Sequence, residues 1–89
     1  MEKPKYIFHQ DCFEDFNNWL IIDKNIYKKI IELLKDISRN NFEGIGKPEA
    51  LKHKLNGCWS RRITHEHRLV YKINIDYDIE IISCRGHYN

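Results

Sequence analysis

Several things are missing from this sequence, and each absence closes off a class of protein. Its three cysteines, Cys12, Cys58 and Cys84, are odd in number and include no Cys-x-x-Cys pair. That excludes a disulfide framework and fits a reducing compartment, with lone thiols acting mainly as small buried hydrophobes. No apolar run approaches the roughly 20 residues that cross a bilayer. Met1-Glu2-Lys3-Pro4-Lys5 starts basic but lacks the apolar stretch and cleavage site of a signal peptide, so the expected location is the cytoplasm, with no membrane partner. Repeats and low-complexity tracts are absent. So is a large charge of one sign: 15 basic against 13 acidic residues leave +2, and whole-chain charge argues only weakly for nucleic acid. With 89 residues there is room for one small domain, 1–89, and one core.

What is present is an ordinary globular composition, 42% apolar and 31% charged, too apolar for a disordered tail. The charge is unevenly placed. Segment 47–71 carries Lys47, Lys52, Lys54, Arg61, Arg62 and Arg68 against only Glu49 and Glu66, whereas the chain before it is roughly balanced. A concentrated basic face suits a polyanion, although a solvated surface gives the same pattern.

Hydrophobic periodicity predicts the elements. Residues 5–9 read as a short strand. Asp11 with Glu14 makes a capping box, and Cys12, Phe13, Phe16, Trp19 and Leu20 form a helical stripe. A second helix begins near Asp23, striped by Ile26, Tyr27, Ile30, Ile31, Leu33, Leu34 and Ile37, and ends at Asn40 and Asn41. Gly44, Gly46 and Pro48 mark an irregular loop, and Asn56-Gly57 a tight turn. Strands over 58–64, 68–75 and 78–85 follow as an antiparallel meander. The fold class is α+β, in the order β-α-α-β-β-β, with the helix pair covering one face of an antiparallel sheet.

Cleavage of RNA by its own 2′-hydroxyl needs a base, a cation for the phosphorane and an acid for the leaving oxygen. Glu49, after a proline-stiffened loop, suits the base; its bland alternative is a carboxylate in the first turn of a helix. Arg68 suits the phosphate contact, the alternative being a surface ion pair with Glu66. His87, as a histidine, can serve as a proton donor and Tyr88 can stack on a base, while residues this near the end of the sequence are often frayed. Alternation sends Trp59 and Arg62 to opposite faces, which favours Trp59 as core. His53, His65, His67 and His87 with Cys58 and Cys84 lack metal-site spacing, because His65 and His67 are two apart at a turn and no cysteine pair anchors the other half. No metal or cofactor is assigned.

The run from Gly46-Lys47-Pro48-Glu49 through Trp59-Ser60-Arg61-Arg62-Ile63-Thr64 and Glu66-His67-Arg68-Leu69-Val70-Tyr71 to Cys84-Arg85-Gly86-His87-Tyr88 resembles the YoeB (Txe) family of bacterial toxins. With Asp23-Lys24-Asn25-Ile26-Tyr27, the likeness spans nearly the whole chain. It implies a RelE-like fold and the toxin of a type II toxin–antitoxin pair, an endoribonuclease that cuts mRNA in the ribosomal A site without a metal. By resemblance Glu49 is the general base, Arg68 the transition-state cation, His87 the general acid and Tyr88 a substrate-orienting residue. Lys47, Lys52, Arg61 and Arg62 are the candidates for ribosomal or messenger RNA contact, resting mainly on charge. The implied partners are a YefM-like antitoxin, the 70S ribosome with its mRNA, and promoter DNA only through the toxin–antitoxin complex; members of the family can also form homodimers. A non-cleaving ribosome binder and an antitoxin-partner corepressor are the alternatives. Two departures from the family pattern stand out. Asn89 follows the tyrosine, and Gly86 replaces a common bulky aromatic, which implies a more mobile tail.

Overall fold

The computed structural model describes residues 3–87, so the expectations placed on Tyr88 and Asn89 lie outside the described residues. In chain order the elements are β1 (Tyr6–Phe8), α1 (Gln10–Ile22), α2 (Lys24–Arg39), β2 (Glu49–Ala50), a 3-10 turn (His53–Leu55), β3 (Trp59–Arg62), β4 (Arg68–Ile73) and β5 (Ile79–Ser83). The strands form one sheet in the order β1-β5-β4-β3-β2. Among the described residues, no helix is long and apolar enough to cross a membrane.

The helix pair and the β3-β4-β5 meander agree with the periodicity. Asp23 caps α2 as expected, its carboxylate accepting from the Asn25 and Ile26 amides at 3.0 and 3.4 Å, while its own amide closes α1 on Trp19 O at 2.8 Å. One residue thus ends one helix and starts the next, which sets the hairpin. At the other end α1 begins earlier than expected. His9 is its N-cap, without a side-chain bond, and Asp11 lies inside the first turn. The His9 amide is engaged by Ile81 O at 2.9 Å and the ring by Glu80 at 3.1 Å, so the chain turns into the helix there.

Two strands differ from the all-antiparallel meander. β1 pairs in parallel with β5, Tyr6 opposite Ile79 and Phe8 opposite Ile81, so the sheet is mixed. A parallel neighbour requires a long crossover, and here the connection from β1 to β5 runs through both helices and the three other strands. β2 is an added two-residue edge strand, antiparallel to β3, too short to leave a periodic signature.

Alternation divides the sheet's side chains between two faces. Leu69, Tyr71, Ile79 and Ile81 pack under the helices with Ile30, Leu33 and Ile37, all essentially without exposure, and with Trp19. Trp59 is packed against this core, with its ring 4.7 Å from that of Phe42. Among the described residues the opposite face carries a small cluster, Leu51, Cys58 and Val70 with Leu55 and Ile82; Ser60, paired with Val70, is also buried there, while Glu49 and Arg62 are exposed.

Candidate functional site

The strand register decides which charged side chains meet on the open face. Glu49 pairs with Ser60, Ser60 with Val70, and Arg62 with Arg68. Paired residues share a face, and Val70 belongs to the small cluster away from the helices, so Glu49, Arg62 and Arg68 are presented there together. Glu49 and Arg68 flank β3 on either side and are offset by two residues. Their backbones are therefore roughly 12 Å apart, which leaves room for a sugar–phosphate unit between two long side chains. Glu49 stands on an exposed edge strand, not in the first turn of a helix. An open groove of about 600 Å³ runs beside it, lined by residues 49–55 and including Lys52. Lys47, before β2, and His53, after it, adopt left-handed φ of 51° and 59°. That conformation is costly for side-chain-bearing residues and fixes the path of the edge strand.

Arg62 and Arg68 oppose one another across β3 and β4, an arrangement that repels unless an anion lies between. Among the described residues neither has a carboxylate partner. The ion pair considered for Arg68 with Glu66 is not formed. Its Nη1 donates instead to the Thr64, His65 and His67 carbonyls at 2.8, 3.1 and 3.3 Å, which holds the guanidinium against the β3–β4 turn while leaving its charge unneutralised.

The segment carrying His87 is fastened beside Arg68. The Arg68 amide donates to Gly86 O at 3.1 Å, and the Gly86 amide donates to His67 Nδ1 at 2.8 Å. Upstream, Trp19 Nε1 donates to Cys84 O at 3.0 Å, and the Arg85 guanidinium lies 5.4 Å from the Trp19 ring and 3.9 Å from Asp15. Cys84 is wholly buried; its contact with Cys12, and then burial, push its thiol well above the usual range. Both backbone polar groups of Gly86 are thus engaged. His87 follows directly and is exposed.

Arg61 is corrected outright. Expected as an RNA contact, it is wholly buried, on the helix side of the sheet. Its Nη1 meets Asp36 Oδ2 at 2.6 Å and Ile45 O at 3.2 Å. Nη2 donates to Asn40 O and Glu43 O at 2.8 and 2.9 Å, and Nε to Tyr71 Oη at 3.3 Å. Tyr71 donates in turn to Asn41 O at 2.6 Å, and burial raises its phenol above the ordinary value. The Ile45 amide first, and the Arg61 guanidinium second, hold the Asp36 carboxyl below its ordinary value. Arg61 therefore gathers the carbonyls of loop 40–45, and its neighbour Arg62 extends that restraint, its amide donating to Gly46 O at 2.6 Å. The loop leads straight into Lys47-Pro48-Glu49, so a buried cation sets where the candidate base stands. Lys47, Lys52 and Arg62 are exposed.

Asp36, His67 and Trp19 carry the site from beneath, and sequence reasoning did not single them out for that. Asp36 reads as one more polar residue on a helix. His67 was weighed only as a metal ligand, and among the described residues no three His, Cys, Asp or Glu side chains group closely enough to hold a metal.

Comparison with known proteins gives consistent matches. The model of a family described as the YoeB-like toxin of bacterial type II toxin-antitoxin system matches residues 8–88. Toxin YoeB of Escherichia coli K12 is 54% identical over 84 residues, covering 94% of this chain and 99% of its own. Two solved Staphylococcus aureus structures each cover 98% of this chain and 100% of theirs. One is a YoeB–YefM complex, 50% identical with a TM-score of 0.88; the other is a YoeB dimer, 51% identical with a TM-score of 0.90.

Proposed function

The chain belongs to the YoeB-like toxins of bacterial type II toxin–antitoxin systems, and from that premise we propose that it is a ribosome-dependent endoribonuclease that cuts mRNA in the A site. The observation that carries the proposal is the face-to-face pair Arg62 and Arg68 on the open side of the sheet, with Glu49 across β3 and the His87 segment fastened beside Arg68. Two like charges held opposite each other cost stability unless a phosphate takes the place between them.

In this reading the Glu49 carboxylate takes the proton from a ribose 2′-hydroxyl. The 2′-oxygen attacks the adjacent phosphorus, and the bond from phosphorus to the 5′-oxygen breaks. His87 in its imidazolium form gives its proton to that oxygen. The products are a 2′,3′-cyclic phosphate and a free 5′-hydroxyl, with no water consumed. Arg68, with Arg62 beside it, stabilises the charge that grows on the phosphorane oxygens. Tyr88, by resemblance, orients the substrate. The face is shallow, and Glu49, Arg62 and His87 are all exposed. A flexible single strand is poorly oriented on such a surface, and a ribosome that presents the codon in a defined conformation supplies the missing positioning. Lys47 and Lys52 add sequence-independent attraction for the RNA backbone.

The Staphylococcus aureus relative is found in complex with YefM. A YefM-like antitoxin is accordingly the proposed partner of this chain in the cytoplasm, with promoter DNA bound only by the pair; the dimer of that relative makes a homodimer a further assembly to examine. Primer extension on translating ribosomes tests the reaction, with naked mRNA as the control. New 5′ ends at the A site are expected only with ribosomes, and Glu49→Ala should reduce them about a hundredfold or more. Stalled translation with intact message would replace cleavage by simple binding.

A further inference from the structure

His67 has no part in the chemistry above, yet it bonds the segment that brings in the acid. Its ring packs edge-on against Trp19, with centroids 4.8 Å apart, and its Nδ1 accepts from the Gly86 amide at 2.8 Å. To accept there, the imidazole must be neutral, with its proton on Nε2. The next residue, Arg68, receives Gly86 from the other side, its amide donating to Gly86 O at 3.1 Å. Gly86 has no side chain to pack, and a Cβ at that position would touch nothing within 4 Å. The two hydrogen bonds are therefore the restraint on residue 86, and through it on the distance between the Arg68 guanidinium and the His87 imidazole.

We propose that His67 is a positioning residue that sets the register of the proton donor against the transition-state cation, by clipping Gly86 to the start of β4. This rests on the reading of His87 as the general acid. The ring has two separable properties, a flat apolar body against Trp19 and a hydrogen-bond acceptor at Nδ1. His67→Phe keeps the first and removes the second; His67→Asn keeps an acceptor at the corresponding place and removes the ring.

The test uses the whole chain on programmed ribosomes under single-turnover conditions. His67→Phe is expected to slow cleavage about tenfold, the order of effect of one neutral hydrogen bond, with the toxin concentration for half-maximal rate unchanged. His67→Asn should stay within about threefold of the unsubstituted chain. In a His87→Ala background, His67→Phe should cost nothing further, because the two residues act through the same proton transfer. Equal losses in the Phe and Asn variants would overturn the proposal in favour of packing, and a full additional loss in the His87→Ala background would overturn the coupling to the acid. Hydrogen exchange at the Gly86 amide reads the clip without ribosomes. Protection lost in His67→Phe and kept in His67→Asn supports it, and protection unchanged in both overturns it. Absence of cleavage by the unsubstituted chain would instead overturn the function proposed above, and the amide measurement separates the two failures.

Discussion

Asp36→Asn should destabilise the protein far more than a substitution on a partly exposed helical face ordinarily does. Arg61 is wholly buried and Asp36 is its one carboxylate partner among the described residues, at 2.6 Å. Removing one member of a buried ion pair costs about 3–5 kcal/mol. Two features place this pair at or below the lower end of that range. The Asp36 side chain keeps 20% exposure, so water screens part of the interaction. Arg61 also retains neutral acceptors on Asn40, Glu43, Ile45 and Tyr71. The expected loss is about 2–3 kcal/mol, read as a lower urea midpoint and a melting temperature lower by about 10–20 °C for a domain of this size.

The sign with pH is fixed by the lowered folded-state pKa of Asp36, caused by the Ile45 amide and then by Arg61. Its contribution is fully present above the unfolded-state value of about 4 and is lost as pH falls through the lower folded value. The gap between unsubstituted chain and Asp36→Asn should therefore be widest at neutral pH and close in acid. A gap under about 0.5 kcal/mol at pH 7, or one that is the same at pH 7 and in strong acid, would refute the buried-pair account.

Two other substitutions separate scaffold from surface. Gly44 has φ +124°, and a Cβ there would overlap Asp36 Oδ2, so Gly44→Ala should cost about 1–3 kcal/mol by pushing the loop off the Arg61 pair, measured by urea denaturation. Arg62→Ala, on the exposed side, should leave stability within about 0.5 kcal/mol. It should weaken binding to ribosomes and reduce the slope of log affinity against log salt by about one, measured by sedimentation at several salt concentrations.

Local spacing was enough for the elements whose causes are local. The 3.6-residue stripe of Ile26, Ile30, Leu33 and Ile37 made α2 and named its buried face, and Asp23 stood where the first orphan amides of that helix need an acceptor. The period-two runs made β3, β4 and β5, and a long, specific resemblance singled out Glu49, Arg68 and His87 before any geometry was known. Partner choice across the chain was not legible in the same way. A β-prone run at residues 6–8 carries no mark of which strand it will join, and its parallel partner β5 comes last in the chain, after both helices and three other strands. Arg61 and Arg62 read alike as a basic doublet. Strand alternation separates them, and only the fold brings Asp36, 25 residues away, and the carbonyls of loop 40–45 to the one that is buried. Nothing local in the sequence marks Gly86 as the residue whose amide meets a histidine 19 residues away and whose carbonyl meets the Arg68 amide. Sequence by itself determined the helices, the strands and the residue types available for chemistry, because these follow from neighbours a few positions apart. Tertiary structure alone decided what the buried cation binds, where the edge strand stands and how residues 84–86 are held, because burial and hydrogen-bond satisfaction depend on groups that meet only when the chain has folded.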